Sequence, residues 1–412
     1  MLQLSQRGVA LPPSPYRKLT PFAESARQRG IIVHPLNIGQ PDIETPPSML
    51  EAVQRASIQV LEYSPTAGYP SYRRKLADYY QRLGLEVDSD DIIVTTGGSE
   101  AISFALLACL NPGDEFIVPE PFYGPYSAFA VATGTHVVPI TARLEDNFAL
   151  PPITEFEQKI TPRTKAIMIC SPNNPTGYVY SRAELEQLKE LCLRHNLYLL
   201  SDEAYREFCY NTEYTSALNL RGADDHIVLL DTISKRYSAC GARIGAIVTK
   251  NHALRDVFFK LAQLRVSPPG LGQLLAEAAA DLPATYFDHT KTEYLARRDL
   301  MLRRLRAMPG VQVPTPSGAF YVICHLPVDD ADRFAQWLLE EFSHYGQTLM
   351  ISPASGFYAT PGLGRQQVRL AYVVNQDIIS KAMDCLEAAL QQYPGREEKQ
   401  RVAAAEVRET FG

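Results

Sequence analysis

Four short apolar runs in this 412-residue chain end in side chains able to do chemistry. Residues 227–231 lead into Thr232, Ser234 and Lys235, and Arg243 follows between Gly241 and Gly245. Residues 166–170 lead into the segment Ser171-Pro172-Asn173-Asn174-Pro175-Thr176-Gly177. Residues 197–201 lead into Asp202-Glu203-Ala204-Tyr205, and residues 92–96 into Gly97-Gly98-Ser99-Glu100. An amine, an amide, a carboxylate with a phenol, and a glycine turn opening a helix each stand just past a run. Taken singly these are weak signals: a lone lysine is ordinarily a solvated surface group, and many glycine turns precede helices.

The runs are short and rich in β-branched and aliphatic residues, as buried parallel strands are. Further runs at 115–118 and 136–139 alternate with helical stretches. Ser181 and Glu184 form a capping box, opening a helix with Leu185, Leu188 and Leu191 on one face. This rhythm predicts an α/β fold with a doubly wound, mainly parallel sheet. In such a sheet the strand ends share one edge, where open α/β folds bind their ligands. The four groups then meet in one crevice, and together they suit a phosphorylated aromatic aldehyde. The amine can form a Schiff base with it. The carboxylate can keep a pyridine nitrogen protonated, which makes the ring an electron sink. The amide and phenol can hydrogen-bond a ring hydroxyl, and a helix N-terminus with an arginine can hold a phosphate.

The length suggests two domains. Around the alternating part lie a proline-rich, then helical N-terminus and a tight turn at Gly39 within LNIGQPD. A loop of tyrosines including Tyr63 comes next, then a helix whose Tyr79 and Tyr80 read as packing. Helices dominate from Gln273 to about Met308. The C-terminal part mixes strands with an amphipathic helix around Trp337, the strand-like VRLAY containing Arg369, and a last helix capped by Asn375. From about Gly395 the chain is charged and alanine-rich and reads as a helical or frayed tail.

A net charge of -6 gives no electrostatic footprint for nucleic acid. No apolar run is long enough to span a bilayer, and the first residues lack the apolar stretch of a secretory leader. Seven scattered cysteines form no CxxC or Cys/His cluster, which argues against a zinc site or a disulfide frame and for a cytoplasmic setting.

SPNNPTG, SDEAY and TISKRYSACGARIG, in this order and spacing, resemble the fold-type-I pyridoxal-phosphate aminotransferases of class I/II. The resemblance runs from LNIGQPD to VRLAY. It implies a large cofactor-binding domain with a mainly parallel seven-stranded sheet at 46–295. It also implies a smaller α+β domain from 296–412, with 1–45 as that domain's N-terminal segment. It implies pyridoxal 5'-phosphate as cofactor, joined by Lys235, which then moves the proton of the substrate's α-carbon. Asp202 pairs with the pyridine nitrogen, Asn174 and Tyr205 contact the ring oxygen, and Tyr123 stacks on the ring. Gly98, Ser99, Thr232 and Arg243 hold the phosphate, with Ser234 open between that role and packing. Arg369 grips the substrate α-carboxylate, helped by Asn174 and the Gly39 backbone. Tyr63 reaches the phosphate of a neighbouring subunit, so the resemblance implies a homodimer with composite sites.

The chain departs from the pattern where relatives read a distal carboxylate. One branch has lysine where Ser99 stands; another uses a partner-subunit arginine near the position of Arg265, which is therefore a candidate only. The expected reaction passes an amino group between an L-amino acid, aspartate or another dicarboxylic one favoured, and a 2-oxo acid such as 2-oxoglutarate. Aromatic or small apolar donors and β-lyase chemistry are the alternatives. An arginine holding the carboxylate argues against decarboxylation. A regulatory protein on this fold would need a DNA-binding segment, and the Gly97–Glu100 turn lacks the GxGxxG spacing of a nicotinamide dehydrogenase.

Overall fold

The computed structural model describes residues 2–397; most of the charged tail falls outside the described residues. In chain order the strands are β1 Ile32–Pro35, β2 Ile92–Thr95, β3 Glu115–Glu120, β4 His136–Thr141, β5 Thr164–Cys170, β6 Tyr198–Asp202, β7 Ile227–Thr232, β8 Gly245–Val248, β9 Tyr321–His325, β10 Gln347–Met350, β11 Ser352–Pro353 and β12 Gln367–Ala371.

Seven of them form one sheet in the order β2-β8-β7-β6-β5-β3-β4. Successive side chains of a strand point to opposite faces, and here both faces are covered. Ile167, Ile169, Leu199, Ile227 and Leu229 pack on one face of the sheet and Ala166, Met168, Leu200, Val228 and Leu230 on the other, the two layers of the first core. Continuous apolar runs are the sequence trace of this double burial. Only β8 is reversed, pairing antiparallel with both β2 and β7. The reversal makes β2 run parallel to β7, so the ends of β2, β5, β6 and β7 lie along one edge, as the sequence led us to expect. It also starts β8 at that same edge, which delivers Arg243 there.

A second core gathers the rest of the chain. Leu19, and Ala23 and Ala26 of the helix Thr20–Gln28 that follows it, pack with Phe334, Leu338, Leu386 and Leu390 from the C-terminal part. Around them stand the antiparallel sheet β11-β12-β9 and the parallel pair β1-β10. Trp337 packs against this core, partly buried. The helix Ala284–Ala307 carries the chain from one core to the other without a break. In the sheet, Arg369 of β12 faces Ile323 of β9, and Ala371 faces Tyr321. Arg369 and Tyr321 are therefore diagonal neighbours on one face, close enough for long side chains to touch. That register brings the second core's contribution to the sheet edge.

Candidate active site

Past the ends of β5, β6 and β7 lies a cavity lined by Gly98, Ser99, Tyr123, Asn174, Asp202, Tyr205, Thr232, Ser234, Lys235 and Arg243. It adjoins a second cavity that shares Tyr123, Asn174, Tyr205 and Lys235 and adds Gly39 and Arg369. Eleven of the twelve residues singled out as site residues thus converge, leaving Tyr63 aside.

Asp202 ends β6 and is buried. Its carboxylate accepts the Tyr126 hydroxyl at 2.8 Å and the Ala204 N–H at 3.2 Å, and has no cationic partner among the described residues. Burial pushes its pKa up to about 6, against the pull of those two hydrogen bonds. The sign follows from linkage. The unfolded carboxyl titrates near 3.8, so the group's contribution to stability is full below that pH and is lost as pH rises through about 6. Above it, keeping a bare buried carboxylate costs about 3 kcal/mol. Denaturant titration of cofactor-free protein is expected to show Asp202→Asn more stable than wild type at pH 7.5, with the gap closing towards pH 4. A gap that is constant or widens towards acid would contradict the assignment of an uncompensated charge.

Lys235 stands on the turn after β7. Its Nζ donates to the Gly39 carbonyl at 2.7 Å and lies 3.9 Å from the Cys240 sulfur. Gly39 is required: a Cβ there would come within 1.7 Å of the Tyr321 hydroxyl. The expected help of the Gly39 backbone to a carboxylate is thus matched by a different contact, its carbonyl on the lysine.

The anion end is the N-terminus of helix Gly97–Cys109. Its first N–H groups have no partner within the helix and present partial positive charge. Arg243 has φ 54°, and its guanidinium lies against Gly97, where a Cβ would come within 2.6 Å of it. The Thr232 hydroxyl is 2.8 Å from that of Ser234, so both line the cavity side by side. Glu100 accepts the Thr96 N–H at 2.8 Å and pairs with Arg265, a helix-start role as expected.

Asn174 bridges the two cavities: its Nδ2 donates to the Tyr205 hydroxyl at 3.3 Å, and its Oδ1 accepts from Arg369 at 3.0 Å. The Tyr205 hydroxyl is also 3.0 Å from that of Tyr321. Burial first, then Tyr321, raises the Tyr205 pKa well above its ordinary value, so it stays a hydroxyl. Arg369 is only 1% exposed. The rings of Tyr16 and Tyr321 each lie 4.4 Å from its guanidinium, and it also donates to the Asn37 carbonyl. Its Nε has no hydrogen-bond partner, and no carboxylate pairs with it among the described residues.

Behind the cavity, Asp231 joins the two loops that carry the site. It accepts from Arg206 at 3.0 Å, from Arg236 at 2.8 Å and from Tyr80 at 2.7 Å. Burial pushes its pKa up, but the two guanidinium groups outweigh that and hold it at about 2. Arg206 follows Tyr205 and Arg236 follows Lys235, so one buried carboxylate fixes both turns from the rear. The strand-end capping expected of Asp231 is present, since the Thr232 N–H donates to it at 2.7 Å, but it is the smaller part of its role. Tyr80, read from sequence as packing, belongs to this cluster.

Two residues expected to act across a subunit boundary lie outside their own chain's cavity. Arg265 does not reach the cavity of its own chain: it donates to the carbonyls of Thr66 and Val94 and pairs with Glu100 at 3.3 Å. At the end of the helix His252–Arg265 its side chain is largely buried against those carbonyls, so it is neither a surface arginine nor, within this chain, a substrate contact. Tyr63 is 81% exposed and lies outside its own chain's cavity. Sequence reading missed Tyr16, Tyr126, Tyr321 and Cys240 as site residues. Tyr126 could have been found, because it lies three residues after Tyr123 in the first turn of the helix Pro125–Thr133; Tyr321 depends on the β9–β12 register, which no local pattern reveals.

The donor set fits pyridoxal 5'-phosphate on the structure's own terms. A buried carboxylate without a cationic partner among the described residues, an anion cup and a primary amine line the same cavity. The sequence pattern of the family described as aminotransferase class I and II matches residues 31–378. An aspartate/prephenate aminotransferase of Thermus thermophilus is 34% identical over 93% of this chain and 98% of its own length. An aspartate aminotransferase of Pyrococcus horikoshii is 29% identical over 94% of this chain and 97% of its own. The solved structure of the Thermus thermophilus aspartate aminotransferase with maleate superposes with a TM-score of 0.86 at 32% identity, covering 94% of this chain and all of that one. With this fold, this cavity and these relatives, the chain belongs to the class I and II aminotransferases, enzymes that work with pyridoxal 5'-phosphate.

Proposed function

We propose that this aminotransferase takes the amino group of an L-amino acid, aspartate or another dicarboxylic one preferred, and passes it to a 2-oxo acid such as 2-oxoglutarate in a ping-pong sequence. One observation carries the reading: the site holds two buried charges of opposite sign, Asp202 and Arg369, neither with an ionic partner among the described residues. Leaving such charges bare is costly, so each calls for a ligand. The maleate held by the Thermus structure, a dicarboxylate, supports the preference.

When bound, the cofactor supplies an aldehyde that condenses with amines and a cationic ring that withdraws electrons from the substrate's α-carbon. Asp202, held in place by Tyr126, would keep the proton on the ring nitrogen. Tyr205 and Asn174 would donate to the ring oxygen, and Tyr123 would pack on the ring. Gly98, Ser99, Thr232 and Arg243 would bind the phosphate, with Ser234 supporting Thr232. Arg369 takes the α-carboxylate in its fork, its plane held between Tyr16 and Tyr321. Lys235 Nζ would be the base that takes up the α-proton and holds it for return. Equal amounts of oxaloacetate and glutamate from aspartate and 2-oxoglutarate are the expected products; ammonia and pyruvate instead would assign a lyase.

A homodimer with composite sites, and the division into 46–295 and flanking segments 1–45 and 296–412, belong to the same proposal. Ile58, Val60, Leu61, Tyr63 and Leu264 are all exposed, and Val60, Leu61 and Leu264 are each more than two-thirds exposed. Apolar exposure of this kind marks an interface. Sedimentation at micromolar concentration is expected to give a dimer, with Tyr63→Ala weakening cofactor binding about tenfold; an active monomer would remove this part. No helix among the described residues is long and apolar enough to cross a membrane. The free thiols Cys109, Cys170, Cys192, Cys209, Cys240, Cys324 and Cys385 support a reduced, cytoplasmic setting, which cell fractionation checks.

A further inference from the structure

The structure assigns a second carboxylate receptor to Arg17, on the N-terminal segment of the same chain; the assignment rests on the aminotransferase reading of the site. The substrate-side cavity is lined by the cationic side chains Arg17, Lys235, Arg243 and Arg369. Lys235 is held by the Gly39 carbonyl, Arg243 stands at the helix N-terminus, and Arg369 lies within the aromatic sandwich. That leaves Arg17, whose exposed side chain makes no hydrogen bond or ion pair among the described residues.

Its backbone is fixed although its side chain is free. The preceding residue, Tyr16, packs its ring on Arg369 and accepts the Asn37 side chain at 3.0 Å through its carbonyl. The following residues are tied down as well: Lys18 pairs with Asp332, and Leu19 is buried in the second core. The Arg17 N–H donates to the Ser14 carbonyl at 3.2 Å, closing a turn. An arginine fork is thus carried on an anchored turn one residue from the ring that supports the α-carboxylate receptor. A planar, always charged fork matches a carboxylate bidentately. Among the described residues, no acidic side chain lines this cavity to compete for it. Arg17 and Arg369 line one cavity, so a substrate held by Arg369 at its α-carboxylate has, among the described residues, Arg17 as the free cation for a second carboxylate. The site therefore needs neither a lysine at Ser99 nor an arginine at 265 to read dicarboxylic substrates.

The test compares holoenzyme with its Arg17→Gln and Arg17→Lys variants. Calorimetric titration with succinate and with butyrate reads binding without turnover. Arg17→Gln is expected to weaken succinate on the order of 10- to 100-fold, to shift butyrate far less, and to lower the ratio of kcat/KM for aspartate to that for alanine by a similar factor. Arg17→Lys, which keeps charge and loses the fork, is expected to fall between. Unchanged succinate affinity, or equal losses for succinate and butyrate, would overturn the assignment. Because the succinate arm needs no chemistry, it also separates failure of Arg17 from failure of the proposed aspartate reaction, which would show as absent turnover in the wild type.

Discussion

Replacing Lys235 by alanine is expected to lower transamination at least on the order of 10⁴-fold, because one side chain both joins the cofactor and moves the α-proton. The remaining contacts are distributed over Asp202, Tyr205, Asn174 and the helix N-terminus with Arg243, none of which depends on the lysine side chain. Equilibrium dialysis of Lys235→Ala is therefore expected to show cofactor still bound, while single-turnover mixing with aspartate yields no 2-oxo acid on the wild-type timescale. Near-normal turnover in this variant would remove Lys235 from the chemistry, whatever the fold.

The second large effect concerns Arg369. Its guanidinium is buried, carries an unpartnered Nε and lacks an ionic partner among the described residues. Arg369→Gln is expected to reduce kcat/KM by about 10²- to 10⁴-fold, the worth of two charge-assisted hydrogen bonds. The loss should be equal for aspartate and alanine, since both present an α-carboxylate. Arg369→Lys is not expected to restore activity: an ammonium cannot fill the slot between Tyr16 and Tyr321 or offer a fork. A melting curve on each variant separates lost binding from lost folding. A loss for aspartate much larger than for alanine would move Arg369 to the side-chain end of the substrate and contradict the account.

Much of the large sheet could be read from sequence because its strands are buried on both faces. The runs 227–230 and 166–170 are apolar at every position, and the polar residue that follows each, Asp231 or Ser171, marks the sheet edge. The groups at that edge, Lys235, Asp202, Asn174 and Ser99, follow their strands directly, so local pattern sufficed to bring them together. The second core behaves differently. Arg369 and Tyr321 meet through a cross-strand register, Tyr16 reaches them from some 350 residues away in the chain, and Arg17 gains its meaning only from the cavity beside it. Long-range pairing leaves no periodic trace. Tyr80 and Asp231 were legible as a packed aromatic and a strand-end cap, but the cluster they form with Arg206 and Arg236 appears only once two loops are set back to back. Arg265 adds a contact that its place before a proline segment does not reveal: its guanidinium donates to the carbonyls of Thr66 and Val94.

The most direct test is the visible absorption of the purified protein with pyridoxal 5'-phosphate, recorded before and after adding single L-amino acids. A yellow protein whose band is lost on adding aspartate or glutamate, with the matching 2-oxo acid released in equal amount, is the result expected of Lys235, Asp202 and Arg369 acting together. A protein that takes up no cofactor colour, or whose band no amino acid changes, would contradict the assignment of this cavity as the site of amino transfer.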